Sequence, residues 1–225
     1  MKNYVKRKEK KWSGQAVWAI GVSKGKGGKP QSRFHALFMM ERGCLKRMES
    51  YKLTYNVDMV FCIDATGSMR HVLDFVKQNA LNLYRDVVAE MEKKHKVINQ
   101  LRVRVIAFRD YVADGEDAML SSDFFELPEQ AQMFYDCVNG ISAKGGGDIP
   151  EDGLEALAYA IRSDWTREGV KKRHIIVMWS DAPTHELGHG KIAPWYPEGM
   201  AKDFDELSLW WEDEQLGGGM DENAK

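Results

Sequence analysis

The chain has 225 residues and a mass of 25.7 kDa, with 44% hydrophobic and 29% charged residues, which excludes collagen-like, low-complexity and wholly disordered classes and leaves room for one ordinary core. No run approaches the roughly 18 to 20 apolar residues of a membrane span or a secretory signal, and Cys44, Cys62 and Cys137 form no CxxC pair, which argues against a disulfide framework and fits a reducing cytoplasmic location. The net charge of -2 conceals a division: residues 1 to 50 carry 13 Lys and Arg against 3 Asp and Glu, and residues 51 to 225 carry 19 against 31.

Residues 1 to 50 begin with a basic cluster (Lys6, Arg7, Lys8, Lys10, Lys11) and continue to the Gly/Lys tract Gly25 to Lys29 without a sustained period of 2 or 3.6. The tract is not a P-loop, because Lys29 precedes Pro30 where a Ser or Thr hydroxyl would have to meet magnesium. This segment reads as a solvated, disordered leader. Nucleic acid could be contacted only through its basic residues.

From residue 51 onward, strand and helix signals alternate, which implies an α/β fold: a three-layer, open, mostly parallel sheet with helices on both faces. Val57 to Ile63 is almost continuously apolar, as in a central strand buried on both sides, and it ends at Asp64. Val72, Val76, Ala80, Leu83, Val87 and Met91 then put one stripe on a long helix. Leu101 to Phe108 reads as a more peripheral strand, and Met119 to Phe125 as an antiparallel edge after the turn at Asp114 and Gly115. A helix is expected from Pro128 to about Val138, and another after Gly145, Gly146, Gly147, Asp148, Ile149 and Pro150, with Leu154, Leu157, Ala158 and Ile161 on one face. His174 to Trp179 is a second central strand, followed by Ser180 and Asp181. The last amphipathic stretch carries Phe204, Leu207 and Trp211, and Gly217 to Gly219 leave six residues to the end. Trp210 and Trp211 read as core before they read as partner-facing anchors.

In open α/β sheets ligands collect beyond the carboxyl ends of the strands, where both strand-terminal aspartates lie. Asp64, Thr66 and Ser68 offer a carboxylate and two hydroxyls at alternate positions of one loop, and Asp148 and Asp181 can add carboxylates from two more. All five are oxygen donors, the chemistry of Mg2+, with Mn2+ or Ca2+ as substitutes. Three carboxylates about one divalent ion would leave a formal charge of -1, so an acidic incoming ligand is expected to be less welcome than at a two-carboxylate site. Asp110 and Glu151 border the same crevice and read as solvated loop charges.

These residues resemble a known family. DATGS (Asp64 to Ser68), GGGDIPEDG (Gly145 to Gly153) and WSDAP (Trp179 to Pro183) are similar, in order, to the three loops that form the metal-ion-dependent adhesion site (MIDAS) of von Willebrand factor A (VWA) domains. The likeness spans about residues 55 to 215. It implies a Rossmann-like VWA sheet, direct metal ligation by Thr66 and Ser68, direct or water-mediated ligation by Asp64 and Asp181, and an open position for a partner's carboxylate. It assigns 1-50 to the leader and 51-225 to a VWA-like domain that lacks its last strand and helix, so the chain is expected to be C-terminally truncated, with the strand ending at Asp181 unpaired on its outer edge. The body further resembles bacterial tellurium-resistance-type VWA proteins, which implies a protein partner such as a kinase, a phosphatase or an AAA+ ATPase, in signalling, stress response or phage defence.

A rival motif overlaps the third loop. His185, Glu186 and His189 spell HELGH, matching the HExxH pattern in which a helix presents two imidazoles to zinc and the glutamate acts as base. Gly188, Gly190, Pro194 and Pro197 oppose such a helix, and Glu198 or Glu206 is the third ligand the motif would need. The stretch therefore reads as a polar loop over the crevice, with a zinc metallohydrolase as the alternative. No GxSxG elbow, Cys/His pair or GxGxxG after a strand is present. The chain is thus expected to be a non-catalytic, metal-dependent interaction module and not an enzyme.

Overall fold

The structure is a computed structural model that describes residues 17–19, 53–147, 150–169 and 171–213. The leader's basic cluster, its Gly/Lys tract, Cys44, Asp148 and Gly217 to Gly219 lie outside the described residues.

The fold is a three-layer α/β sandwich, as expected. Its sheet contains β1 (Val17–Ala19), β2 (Leu53–Asp64), β3 (Lys96–Phe108), β4 (Met119–Ser121), β5 (Phe125–Leu127) and β6 (Lys172–Trp179). The strand order is β1-β6-β2-β3-β4, with β5 also on β3. β2 runs parallel to β3 and to β6, while β1, β4 and β5 are antiparallel additions at the two sides. The carboxyl ends of the parallel strands form a crest, where Asp64 lies beside Phe108 and Ile63 beside Trp179.

The period of two along β2 divides the core. Val57, Phe61 and Ile63 pack with α1 (Arg70–Asn79), α2 (Leu83–Lys93) and α4 (Ala131–Gly140), whereas Val60 and Cys62 pack with α5 (Gly153–Ile161) and α6 (Phe204–Glu212). A four-residue helix, α3 (Tyr111–Asp114), follows β3 at the crest. Cys62 is fully enclosed, and burial pushes its thiol up to about 12, which leaves it an inert packing group.

Several expectations are corrected. The long helix is two helices joined by a 3-10 turn at Ala80–Asn82, and its sheet-facing stripe uses Leu73 in place of Val72. β3 is longer than Leu101 to Phe108 and is internal, because strands pair on both of its sides. The edge expected at Met119 to Phe125 is two short strands, interrupted where Ser122 turns its hydroxyl to accept from the Val105 amide at 3.0 Å. The helix after Pro128 starts only at Ala131, since residues 128 to 130 form a turn closed by the Ala131 amide on the Pro128 carbonyl. Phe204 opens α6 but is 56% exposed, and Leu207, Trp210 and Trp211 face the core. Finally, the outer edge of β6 is not bare: Val17–Ala19, from within the basic segment, pairs with Val177, Met178 and Trp179.

One buried ion pair locks the sheet's interior. Asp58 on β2 is wholly buried, receives Arg102 Nε and Nη2 at 2.9 and 2.6 Å, and also accepts from the Thr166 amide at 2.6 Å. Removing the guanidinium would strand a charge in the interior. Arg102→Ala is expected to lower stability by about 3–5 kcal/mol in chemical denaturation, and a loss below about 1 kcal/mol would contradict that account.

Candidate metal centre

The first crest loop is built on Asp64, the last residue of β2. A carboxylate here is fully buried, so its lone pairs must be met by donors. Asp64 Oδ1 accepts from the Thr66 amide at 3.0 Å and the Thr66 hydroxyl at 2.6 Å, and Oδ2 accepts from the Ser180 hydroxyl at 2.8 Å. The chain of contacts continues outward. Thr66 Oγ1 lies 3.2 Å from Ser68 Oγ, and the Ser68 hydroxyl donates to Asp181 Oδ1 at 3.1 Å. Four of the five residues singled out in the sequence, Asp64, Thr66, Ser68 and Asp181, thus form one continuous network across two loops. Asp148, the fifth, lies outside the described residues. Ser180, which joins the network between the strand end and Asp181, was missed because a serine beside a candidate carboxylate carries no pattern of its own.

The second loop is seated directly on this network. Gly145 and Gly146 have φ of +73° and +80°, and a Cβ at Gly145 would fall 1.7 Å from Asp114 Oδ1, while one at Gly146 would meet Thr66 at 3.0 Å. Only glycine permits both the left-handed backbone and the close approach. Arg109, buried just past β3, fastens the loops by donating to the carbonyls of Ala65, Lys144, Ser142 and Asp117. No motif marks this arginine.

Glu151 and Asp110 are buried, not solvated as expected, because the loops fold over them. Glu151 lies beneath Gly146, where a Cβ would come within 3.1 Å of Glu151 Oε1, and its Oε2 has no hydrogen-bond partner among the described residues. Its backbone ties the second loop to the third through the Pro183 carbonyl at 3.0 Å and the His185 amide at 2.9 Å. Burial, then the charges of Asp64, Asp110, Asp114 and Asp152, push the Glu151 carboxyl up to about 8. Burial likewise pushes Asp152 up to about 6, against the hydrogen bond it accepts from the Tyr111 amide. Burial raises Asp64 too, opposed by Thr66 and Ser180 and reinforced by Asp181.

A second group with metal-ligand chemistry lies in the third loop. Asp110, His185 and His189 each present a ligand atom, all within 4.8 Å of one another, and this triad could hold a metal ion. The two histidines are those of HELGH, yet the stretch is not the helix of a zinc protease. Gly188 adopts a left-handed φ of +88°, and only a 3-10 turn follows, at His189–Ile192. The carboxylate brought to the imidazoles is Asp110 instead of Glu198 or Glu206.

No family model matches the chain. Among curated proteins it is 25% identical over 166 residues to the alpha-protein kinase vwkA of Dictyostelium discoideum, and 27% identical over 135 residues to an ariadne-like RING finger protein, R811, of Acanthamoeba polyphaga mimivirus. These matches cover 71% and 60% of this chain but only 25% and 12% of the relatives, so each falls within a much longer protein. The likeness to a protein kinase overturns the expectation that the chain is not an enzyme. No helix among the described residues is long and apolar enough to cross a membrane.

The raised carboxyls fix the sign of a pH effect. Folded, Glu151 and Asp152 hold protons that they release near their ordinary values of 4.5 and 3.8 when unfolded, so the native state binds more protons in between. The stability this contributes is complete below the ordinary values and is lost as pH rises through the folded ones. In metal-free buffer the melting temperature is expected to fall between about pH 5 and about pH 8, and Glu151→Gln should flatten the slope. A melting temperature that climbs over this interval would refute the assignment.

Proposed function

We propose that the chain is a VWA-like module that binds a protein partner through a magnesium-type site formed by Asp64, Thr66, Ser68 and Asp181. The observation that carries this reading is the spacing within the hydroxyl and carboxylate network. Successive oxygens lie 2.6, 3.2 and 3.1 Å apart. Neighbouring ligands on an octahedral ion with bonds near 2.0–2.1 Å stand about 2.9 Å apart, so the network already has nearly the dimensions of octahedron edges. Thr66 and Ser68 give their protons to Asp64 and Asp181, which leaves hydroxyl lone pairs for a cation. Such an ion would supply an electrophilic position for an oxygen ligand of the partner. Mn2+ and Ca2+ offer the same hard-oxygen chemistry.

The exposed Ile192 and Trp195, on the segment after the third loop, supply apolar contact area beside this crest. Likeness to part of an alpha-protein kinase supports a role in a phosphotransfer system, with a kinase, a phosphatase or an AAA+ ATPase as the class of partner. Cytoplasmic signalling or defence of the tellurium-resistance type is the matching biological setting.

Two measurements test the reading. Saturating magnesium should raise the stability of the chain by about 1–3 kcal/mol, and this gain should vanish in Asp64→Ala and fall in Ser68→Ala. Affinity capture from the native host should recover a protein that is released by EDTA and is not recovered with Asp64→Ala. A partner captured equally by the variant, or equally well in EDTA, would defeat the proposal.

A further inference from the structure

We propose that Asp110, His185 and His189 form a second metal site, separate from the oxygen-lined one, that takes a divalent transition ion of the zinc class. Two imidazole nitrogens and one carboxylate oxygen are the donor set such ions prefer, whereas magnesium prefers oxygen alone. Three protein ligands leave one tetrahedral position open, the pattern of an accessible site and not of a closed structural one.

The ligands sit on fixed supports. Asp110 caps α3, with Oδ1 accepting from the Ala113 amide at 2.6 Å, so Oδ2 is the oxygen that faces His185 Nε2 at 2.9 Å. The turn carrying the histidines is anchored by the His185 amide on the Glu151 carbonyl at 2.9 Å and the Gly188 amide on Glu155 Oε1 at 3.0 Å. Tyr196 donates to the same Glu155 oxygen at 2.9 Å. Packing leaves no slack beneath the turn: a Cβ at Gly190 would meet Tyr196 at 2.7 Å and Tyr111 at 2.8 Å.

The surroundings favour added positive charge. Asp152 and Glu155 are wholly buried, and each keeps one carboxylate oxygen without a hydrogen-bond partner among the described residues. Burial raises the Asp152 carboxyl, the negative charges of Glu155 and Asp110 add to it, and the Tyr111 amide and His185 oppose it. A divalent ion between Asp110 and His185 would replace the single proton of their hydrogen bond with two positive charges at the same place.

The placement of His189 predicts how the ion enters. Its ring lies face to face with that of His185, centroids 3.8 Å apart and planes within 6°. An imidazole lone pair lies in the ring plane, so two stacked rings cannot both aim at one ion. His189 is exposed while His185 is buried, so His189 is the ring that swings off its neighbour's face to close the site. Zinc binding therefore unstacks the pair.

The test is zinc titration of the full chain in saturating magnesium, followed by calorimetry, with cobalt substitution to report coordination through its visible absorption. The expected result is one zinc per chain held at this triad, with affinity reduced more than about 100-fold in His189→Ala and in Asp110→Asn. Ser68→Ala should keep its zinc while its magnesium response falls, so failure of one site is distinguishable from failure of the other. His189 is exposed, so His189→Ala is expected to melt like the parent in the absence of zinc, which separates lost ligation from lost folding. Zinc that binds His189→Ala as tightly as the parent, or that disappears with Ser68→Ala, would overturn the proposal, as would cobalt with the weak absorption of an octahedral all-oxygen site.

Discussion

A carboxylate at the end of a strand buried on both faces sets the terms for the whole crest. Asp64 is closed off from the protein surface, and an ion in such a place costs several kcal/mol unless its lone pairs are met. The Thr66 amide, the Thr66 hydroxyl and the Ser180 hydroxyl meet them. Those donors then dictate the rest: Thr66 fixes the distance to Ser68, Ser68 reaches Asp181, and the face of Thr66 is the floor on which Gly146 rests. Three loops distant in sequence are thereby spaced by one anion.

Charge at the crest is lopsided, and the fold does little to balance it. Arg109, the buried guanidinium among these loops, donates to four main-chain carbonyls and so serves to hold loops, not to neutralise acids. Glu151, Asp152 and Glu155 each keep one oxygen without a hydrogen-bond partner among the described residues. For Glu151 and Asp152 this burial raises the carboxyl well above its ordinary value. Raised carboxyls and clustered metal-type donors are two expressions of this single excess, and Glu151, whose charge feels both Asp64 and Asp110, stands between the two clusters.

Periodicity and strand-end chemistry made much of this readable in advance. The apolar runs ending at Asp64 and at Ser180 and Asp181 located the crest, and the alternate spacing of Asp64, Thr66 and Ser68 pointed to side chains that share one hydrogen-bond network. What escaped prediction was long-range. The edge partner of β6 is a three-residue strand within a charged, aperiodic segment, too short to produce a pattern. Asp110 and Glu151 looked like surface charges because burial of a loop residue depends on the loops around it. The HELGH histidines were set aside since glycines and prolines forbid the zinc-protease helix, and that inference held for the helix. It did not anticipate that a tight turn also brings positions 185 and 189 together, with Asp110, 75 residues earlier, beside them.

The placement of β1 carries a spatial consequence. Val17 pairs with Trp179 and Ala19 with Val177, so this short strand covers β6 on the stretch that leads into Ser180 and Asp181. The third loop therefore leaves a strand whose backbone is paired on both sides, by β2 and by β1, so the takeoff of Ser180 and Asp181 is braced laterally as well as from the sheet's centre.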